Sequence, residues 1–329
     1  MPPVSPDGEP RILIPPTLSP AAFAARDSAG RIAQFAGETM GTRWSLSAVS
    51  APVDTARTVQ AALDRVVAQM SQWEPASDIS RFNRSAPGTW QSLPPEFARV
   101  LKAALQVAES SGGAFDPALG AAVDLWGFGP APAPDDAPAE AATTAAVAGG
   151  IDFDGPGLRA RRTASARLDL SAIAKGFGAD LAAEHLLASG LRHFLLEVGG
   201  ELRGHGLKPE GQPWWVEIER PPQARFAPLR MALHEQAVAT SGDYRRWLDA
   251  GGERHAHTLD PRTGRPVANA VHSVTVLHES CMMADAWATA LTVLGATEGI
   301  ALADAEGLAV YMIAGEEELL SAALRTMLD

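Results

Sequence analysis

The sequence predicts an α+β fold: one large domain in which helices flank a mostly antiparallel sheet. In the middle of the chain, segments whose apolar side chains alternate every second residue outnumber segments of helical periodicity, and short turns link several of them. Connections this short suit antiparallel neighbours rather than the long crossovers of a parallel sheet. The chain has 329 residues, of which 46% are hydrophobic and 20% charged, and can therefore bury a large core.

The first half of the chain divides into an arm and the beginning of the domain. Residues 1–36 form a Pro-rich N-terminal arm, and we expect regular structure to begin near Gly37 and the domain to span 37–329. Apolar periodicity then predicts a strand at Trp44–Val49, a helix at Asp54–Met70, a helix at Pro95–Ser110, and a loop with a short surface helix at 130–148.

The second half supplies most of the predicted sheet. The expected strands lie at about 168–170, 194–198, 214–219, 271–277 and 308–313. The expected helices lie at 178–188, 282–294, near 298–304 and at 315–327.

Composition excludes several classes of function. A net charge of −12 argues against nucleic acid as the main partner, because little positive charge is available to neutralise phosphates. The single cysteine, Cys281, excludes an intramolecular disulfide and a cysteine-based metal cluster. The N-terminus has no apolar run long enough for a signal peptide, and no segment is expected to span a membrane, so we expect a cytoplasmic protein.

The most informative segment is the predicted helix that begins near Met282. Asp285 and Thr289 are four residues apart, so a helix places a carboxylate and a hydroxyl one turn apart on the same face. Both are hard oxygen ligands of the kind that Mg²⁺ prefers. Taken alone, the pair is better explained by a helix cap and a threonine bonded to a backbone carbonyl.

Three upstream clusters have small residues or aromatic side chains at turns. Ala114-Phe115-Asp116, followed by a Trp-Gly-Phe-Gly sequence, suits either a flat ring lying against backbone or a packed loop. The segment from Asp169 to Gly178 opens a helix, whose free N–H groups and Lys175 could face phosphate. Val198-Gly-Gly-Glu201 permits either a close backbone approach or a tight turn.

A further cluster runs from His255 to Gly264. His255 and His257 on a strand would point to one face, as a transition metal requires, although no third ligand lies nearby in the sequence. A single histidine acting as general base is the alternative, and Asp-Pro-Arg-Thr-Gly is also a well-formed turn.

Taken in order, these clusters resemble the ApbE family of FAD:protein FMN transferases, from about Glu38 to the last strand. The motifs that carry the resemblance are Met40-Gly41-Thr42, Trp73 with Ser77-x-x-Ser80-Arg81-Phe82-Asn83, Asp169 to Gly176, Val198-Gly199-Gly200, Thr240 to Tyr244, His257 to Gly264, and Ala284-Asp285-x-x-x-Thr289. The resemblance implies a T-fold-related domain that transfers the FMN part of FAD to a Thr or Ser hydroxyl of a target flavoprotein, with release of AMP.

The resemblance also implies roles for individual residues. It assigns Mg²⁺ to Asp285, Thr289 and the main-chain carbonyl of Ala172, and a role in assisting the transfer to His257 together with Asp285. The residues expected to contact FAD are Met40, Trp73, Ala114, Phe115, Asp116, Asp169, Lys175 and Thr258, with the isoalloxazine ring near Trp73. The implied acceptor is a flavoprotein with a Thr/Ser flavinylation motif, such as a subunit of a membrane redox complex.

Two departures and two alternatives accompany the resemblance. Ser171-Ala172 stands where many members have Gly-Gly, and Met282 stands where some carry an acid, which leaves fewer charges at the metal site. The same residues would also suit an FAD pyrophosphatase that yields FMN and AMP, or a carrier that binds FAD without turnover.

Overall fold

The computed structural model describes residues 9–14, 20–222, 224–242, 247–250 and 252–328, and it confirms the α+β prediction. The helices in these ranges are α1 (Pro20–Ala24), α2 (Thr55–Met70), α3 (Asp78–Arg84), α4 (Pro95–Ser110), α5 (Gly120–Leu125), α6 (Glu140–Ala146), α7 (Ser171–Ala188), α8 (Cys281–Ala305) and α9 (Ala322–Arg325). The strands are β1 (Arg11–Leu13), β2 (Ile32–Thr39), β3 (Thr42–Val49), β4 (Gln91–Ser92), β5 (Ile151–Asp154), β6 (Arg159–Arg162), β7 (Phe194–Val198), β8 (Glu201–His205), β9 (Trp214–Glu217), β10 (Leu229–Leu233), β11 (Gln236–Gly242), β12 (Trp247–Ala250), β13 (Glu253–Ala256), β14 (Leu259–Asp260), β15 (Arg265–Pro266), β16 (Val271–His278), β17 (Ala309–Ala314) and β18 (Glu317–Leu320).

An antiparallel sheet of eight strands separates two hydrophobic cores. Its strand order is β18-β17-β16-β11-β8-β7-β3-β2, and helices α2, α4, α7 and α8 pack on one face. A three-stranded sheet, β1-β10-β9, covers part of the other face. Alternation along β17 illustrates the division: Val310 and Met312 enter the helix-side core, whereas Tyr311 and Ile313 enter the other.

Helices α7 and α8 meet at a glycine, and this contact positions the residues of interest. A Cβ at Gly176 would lie 2.3 Å from the carbonyl oxygen of Cys281 and 2.9 Å from Cβ of Asp285, so only glycine permits the approach. One turn further along α7, the buried carboxylate of Asp180 accepts hydrogen bonds from the backbone N–H groups of Cys281 and Met282, both at 3.0 Å. Asp180 therefore caps α8 from a neighbouring helix.

Several predicted elements are confirmed in place. The structure contains three helices and two strands at the positions predicted from the sequence: the helices Thr55–Met70, Pro95–Ser110 and Glu140–Ala146, and the strands Phe194–Val198 and Val271–His278. The two helices predicted after Met282 form one element, Cys281–Ala305, which is broken at Gly295, where φ is +82°.

The strand predicted at 168–170 and the helix predicted from 178 are corrected. Residues 168–170 form no strand: the backbone pairing beside them is one isolated parallel bridge, Leu119 with Arg167, and the side chain of Asn83 pairs with the backbone of Leu168. Asn83 Oδ1 accepts from Leu168 N at 2.7 Å, and Asn83 Nδ2 donates to Leu168 O at 2.8 Å. The helix that follows begins earlier, at Ser171, whose N–H donates to Asp169 Oδ1 at 2.8 Å.

The two ends of the chain also differ from prediction. Strand β2 begins at Ile32 rather than near Gly37, and Arg11–Leu13, within the predicted arm, pairs in parallel with β10; residues 1–8 and 15–19 of that arm lie outside the described residues. The final helix predicted at 315–327 is reduced to Ala322–Arg325, because Gly315 has φ +56° and turns the chain into the hairpin of β17 with β18.

One helix among the described residues, Cys281–Ala305, is long and apolar enough to cross a membrane by length and composition alone. The expectation that no segment approaches a membrane span is too strong on that criterion. Here the helix is largely buried against α7, β11 and β16, as the core helix of a globular domain is.

We expect Gly176→Ala to lower the free energy of unfolding by about 1–3 kcal/mol through overpacking against α8. This runs against helix propensity, which favours alanine over glycine by about 1 kcal/mol. Urea denaturation would measure the loss. Gly150→Ala is the matched control, because a Cβ there meets nothing within 4 Å; equal stability of the two variants would contradict the packing argument.

Candidate active site

A cavity of about 560 Å³ lies at the end of the large sheet, next to the first turn of α7. It brings together residues that are widely separated in the sequence. Every predicted site residue except Trp73 lines it: Met40, Ala114, Phe115, Asp116, Asp169, Ala172, Lys175, His257, Thr258, Asp285 and Thr289. The fold brings these residues together, and no local pattern in the sequence predicts that they meet.

Trp73 lines an adjoining cavity of about 680 Å³. The indole is 58% exposed, and Met70, Val66 and Val67 of α2 form the apolar wall beside it. The two cavities share Met40, Gly41, Asp169, Ser171 and Lys175 as lining residues. An extended ligand could therefore occupy both, with a flat ring on the Trp73 side.

Met40 lies at the junction of the two cavities in a strained turn. Met40 and Gly41 connect β2 to β3 as a two-residue hairpin loop, with φ of 46° and 70°. The left-handed conformation costs a residue with a side chain about 1–2 kcal/mol. The Met40 side chain rests on α7 at Gly178, where a Cβ would come within 3.0 Å of it.

Three ionisable side chains form a buried charge cluster on the cavity wall. The Lys175 ammonium bonds Glu201 Oε1 and lies 3.9 Å from Asp285 Oδ1. Burial raises the pKa of Glu201 to about 7, against the opposing pull of Lys175 and with help from Asp285. Burial likewise raises the pKa of Asp285. Burial opposes the charge of Lys175, but the two carboxylates outweigh it and raise its pKa.

The three predicted metal ligands, Ala172, Asp285 and Thr289, line the same cavity. Asp285 Oδ2 accepts from the N–H of Gly176 at 3.0 Å, and this is the amide that would bond the carbonyl of Ala172 in a regular helix. The Asp285 carboxylate and the Ala172 carbonyl are therefore neighbours. The hydroxyl of Thr289 lies 3.2 Å from that of Ser241, which adds a further oxygen to the wall.

These donors suit Mg²⁺ rather than a transition metal. All are oxygens, and Mg²⁺ commonly takes one or two carboxylates and completes its shell with water and substrate phosphate. No group of three His, Cys, Asp or Glu side chains that could hold a metal occurs in the part of the chain that the structure describes. Met282 is buried in the helix-side core, so Asp285 is the carboxylate of this donor set.

Two further carboxylates face the cavity. Asp169 Oδ1 caps the start of α7, and Asp116 Oδ1 accepts from the N–H of Ala118 at 2.7 Å. Burial raises the pKa of both groups. Neither forms an ion pair in the described structure, so both remain available to accept hydrogen bonds from the hydroxyl or N–H groups of a ligand.

His257 and Thr258 reach the cavity from the segment that follows β13, a strand outside the large sheet. Strand β13 ends at Ala256, so His257 follows the strand rather than sharing a face with His255. The ring of His257 meets Phe128 edge-on at 6.4 Å, and that of His255 lies 5.2 Å from Trp126. Each imidazole packs on its own aromatic partner, and only His257 lines the cavity. The geometry favours a single histidine over a zinc pair.

Two residues of the cavity wall, Glu201 and Ser241, were not predicted as site residues from the sequence. Glu201 stood in the Val-Gly-Gly-Glu turn, and only the antiparallel pairing of β8 with β7 and β11 brings it to Lys175. Ser241 precedes Gly242 on β11 and meets α8 across the core. Asp243 and Tyr244, the end of the same motif, lie outside the described residues.

The fold and the motifs agree with a known family. The ApbE family model matches residues 40–312. The FAD:protein FMN transferase of Vibrio cholerae is 37% identical over 289 residues, 85% of this chain and 86% of that protein. The chain belongs to the ApbE family. The Escherichia coli K12 protein of the same description is 32% identical to this ApbE member over 311 residues, 89% of this chain and 87% of that protein.

Solved structures of the ApbE family have the same fold. The flavin transferase ApbE from Vibrio cholerae superposes with a TM-score of 0.83 at 34% identity, covering 91% of this chain and 99% of that one. The apo flavinyl transferase ApbE of Pseudomonas stutzeri gives 0.84 at 33% identity, covering 91% and 97%. The resemblance drawn from the motifs is confirmed over nearly the whole ApbE domain.

The charge cluster of this ApbE member predicts a pH-dependent stability. Because the folded state raises the pKa of Glu201 from 4.5 to about 7, the folded protein binds the proton more tightly than the unfolded chain. The contribution of Glu201 to the free energy of unfolding is therefore greatest below about pH 4.5 and falls as the pH rises to about 7. We expect a loss of about 1–3 kcal/mol, measured by urea denaturation in EDTA across this range.

Glu201→Gln should reduce this pH dependence. Glutamine keeps the shape of the side chain and cannot ionise, so the contribution of this group between pH 4.5 and 7 should be lost, while those of Asp285, Asp169 and Asp116, whose pKa burial also raises, should remain. Glu317→Gln, at an exposed position of the edge strand β18, is the control and should keep the wild-type slope. An unchanged slope in Glu201→Gln would assign the effect to another group.

Proposed function

We propose that this protein catalyses Mg²⁺-dependent transfer of the FMN moiety of FAD to a Thr or Ser hydroxyl of a target flavoprotein, with release of AMP. The observation that carries the proposal is the cavity in which Asp285, Thr289 and Lys175 lie together and which opens into the space beside Trp73. The relatives named FAD:protein FMN transferase support the same reaction. That the acceptor belongs to a membrane redox complex stays a prediction.

The cavity wall suits a pyrophosphate held by a cation. Asp285, Thr289 and the Ala172 carbonyl would hold Mg²⁺, which would neutralise phosphate charge and polarise the phosphorus–oxygen bond that breaks. Lys175 adds a fixed positive charge on the same wall. The first turn of α7 lines the cavity at Ser171 and Ala172, and although the N–H of Ser171 bonds Asp169, the positive end of the helix dipole favours an anion there.

The isoalloxazine ring would lie in the Trp73 cavity. That cavity is more apolar than its neighbour, and its aliphatic wall from α2 offers a flat ring a place to pack. Met40 and Asp169 line both spaces and would lie where the ribityl chain passes between them. In this placement, the phosphates meet Lys175 and the metal donors while the ring stays on the Trp73 side.

Transfer requires one bond to form and one to break. The oxygen of the acceptor hydroxyl bonds to the phosphorus of the FMN half, and the bond from that phosphorus to the bridging oxygen breaks, so that AMP leaves with the bond's electron pair. The hydroxyl proton passes to a base. His257 lines the cavity and is held by Phe128, and an imidazole accepts a proton near neutral pH.

Asp285→Asn should abolish transfer to an acceptor. The test is mass spectrometry of a flavoprotein that the Vibrio cholerae enzyme modifies, incubated with this protein, FAD and Mg²⁺. We expect the acceptor to gain the mass of FMN with the wild type, but not without Mg²⁺ and not with Asp285→Asn. Glu298→Gln, at an exposed position of the same helix, is the control and should transfer normally.

The other outcomes of this experiment separate the alternatives. Free FMN and AMP beside an unmodified acceptor would replace the transferase with an FAD pyrophosphatase. Intact FAD, in parallel with successful transfer by the Vibrio cholerae enzyme, would favour a carrier without turnover. Full activity of Asp285→Asn would remove the proposed metal site.

His257→Asn should lower the kcat of transfer about 10²–10⁴-fold, because the variant cannot take the proton from the hydroxyl. FAD binding, followed by flavin fluorescence, should change little, since the phosphates and the ring lie against other residues. A rise in the KM for FAD with unchanged kcat would instead make His257 a binding residue.

A further inference from the structure

A second groove adjoins the catalytic cavity on the opposite side of the sheet end. It has a volume of about 460 Å³ and shares Thr42, Gly199 and Thr240 with the catalytic cavity as lining residues. These three lie near the ends of β3, β7 and β11. The groove therefore reaches the catalytic cavity over the end of the large sheet, and nothing in the charge cluster or the FAD placement uses it.

One wall of the groove is an edge strand. Strand β9 ends the three-stranded sheet in the order β1-β10-β9, so within the described ranges its outer edge is unpaired. Val216, Glu217, Ile218 and Glu219 line the groove. An unpaired edge offers a row of backbone donors and acceptors to which an extended chain can bind as an added strand.

The hydrogen-bond register identifies the groups that point outward. Ile218 N donates to Leu229 O at 2.9 Å, and β9 pairs with β10 in unbroken antiparallel register. Inward and outward groups alternate along a strand. The backbone N–H and C=O of Trp215 and Glu217 therefore point away from β10, toward the free edge.

The floor and far wall come from the large sheet, where the small sheet does not cover it. Leu202, Val238 and Thr275 supply this surface, and the hydroxyl of Thr275 bonds that of Thr240 at 2.8 Å. The charged lining residues are Glu197, Glu217, Glu219 and Arg43. Three carboxylates against one guanidinium favour a neutral or basic segment.

We propose that this groove is the acceptor-docking site: an extended segment of the acceptor flavoprotein adds to the free edge of β9 and passes over Gly199 into the catalytic cavity. The proposal rests on the proposed function, because it needs an acceptor polypeptide. Gly199 has φ +63°, and a Cβ there would lie 2.7 Å from Thr42, so the crossing point is kept free of side chain. The bound segment places its hydroxyl on the Thr240 side of the cavity.

The test measures the KM for the acceptor and the KM for FAD separately in Glu217→Pro. Proline removes the outward N–H of residue 217 and leaves the bonds between β9 and β10 in place. We expect the KM for the acceptor to rise about 5- to 100-fold, the range for an unmade backbone hydrogen bond. The KM for FAD should change less than about twofold, because β9 lines neither of the two cavities in which FAD is proposed to lie.

Gln34→Pro is the matched control. Gln34 is exposed on β2, an edge strand of the eight-stranded sheet, and its N–H also points outward, because Ser50 N donates to Arg31 O in the same register. It should leave both KM values unchanged. Equal acceptor KM values in Glu217→Pro and wild type would overturn the docking site, whereas loss of transfer by the wild type itself would overturn the proposed function.

Hydrogen exchange gives a second measurement that needs no variant. The probe is a peptide of about 12 residues centred on the acceptor threonine, with that threonine replaced by alanine so that no reaction occurs. The amides of Trp215 and Glu217 should exchange more slowly when the peptide is bound with FAD and Mg²⁺ present. Unaltered exchange across 214–219 at saturating peptide would contradict the proposal.

Discussion

The close contact of α7 with α8 is the constraint on which the candidate site depends. Gly176 lets the two helices approach until its N–H reaches the Asp285 carboxylate, and Asp180 fixes the start of α8 by accepting two of its free N–H groups. Asp180 also pairs with Arg203 of β8, which ties the helix pair to the sheet. Because of this arrangement, the proposed metal ligands Ala172 and Asp285, more than a hundred residues apart in sequence, lie on the wall of one cavity.

The residues of the site were predictable from the sequence as an ordered set of motifs. An Asp and a Thr one helical turn apart, and a segment leading into Ala-Lys-Gly, are each open to a purely structural explanation, and it is their order along the chain with the other motifs that identified them through the resemblance to the family. Their meeting in one cavity could not be derived from periodicity, because it depends on pairing between distant strands. Glu201 is the clearest case: its turn is evident in the sequence, but its contact with Lys175 arises only when β8 pairs with β7 and β11.

The errors in the fold prediction also come from contacts that the local sequence pattern does not contain. Residues 168–170 were predicted as a strand, yet the backbone pairing beside them stops at one isolated bridge, Leu119 with Arg167, and the side chain of Asn83 bonds the backbone of Leu168. Residues 315–327 read as a helix because their composition favours one, but the left-handed turn at Gly315 and the pairing of β18 with β17 override that preference. The strand Arg11–Leu13 pairs with residues more than two hundred positions away, and no local pattern in the sequence predicts a pairing at that distance.

The donor set around Asp285 has a thermodynamic consequence. Under the proposed function, a site with one carboxylate, one hydroxyl and one carbonyl leaves much of the coordination shell of Mg²⁺ to the phosphates of FAD. Mg²⁺ and FAD then bind cooperatively. The factor by which Mg²⁺ raises the affinity for FAD equals the factor by which FAD raises the affinity for Mg²⁺. Half-saturation by either ligand is then a function of the concentration of the other. A fall in the cellular concentration of FAD would, by this linkage, also lower the fraction of the protein that holds Mg²⁺.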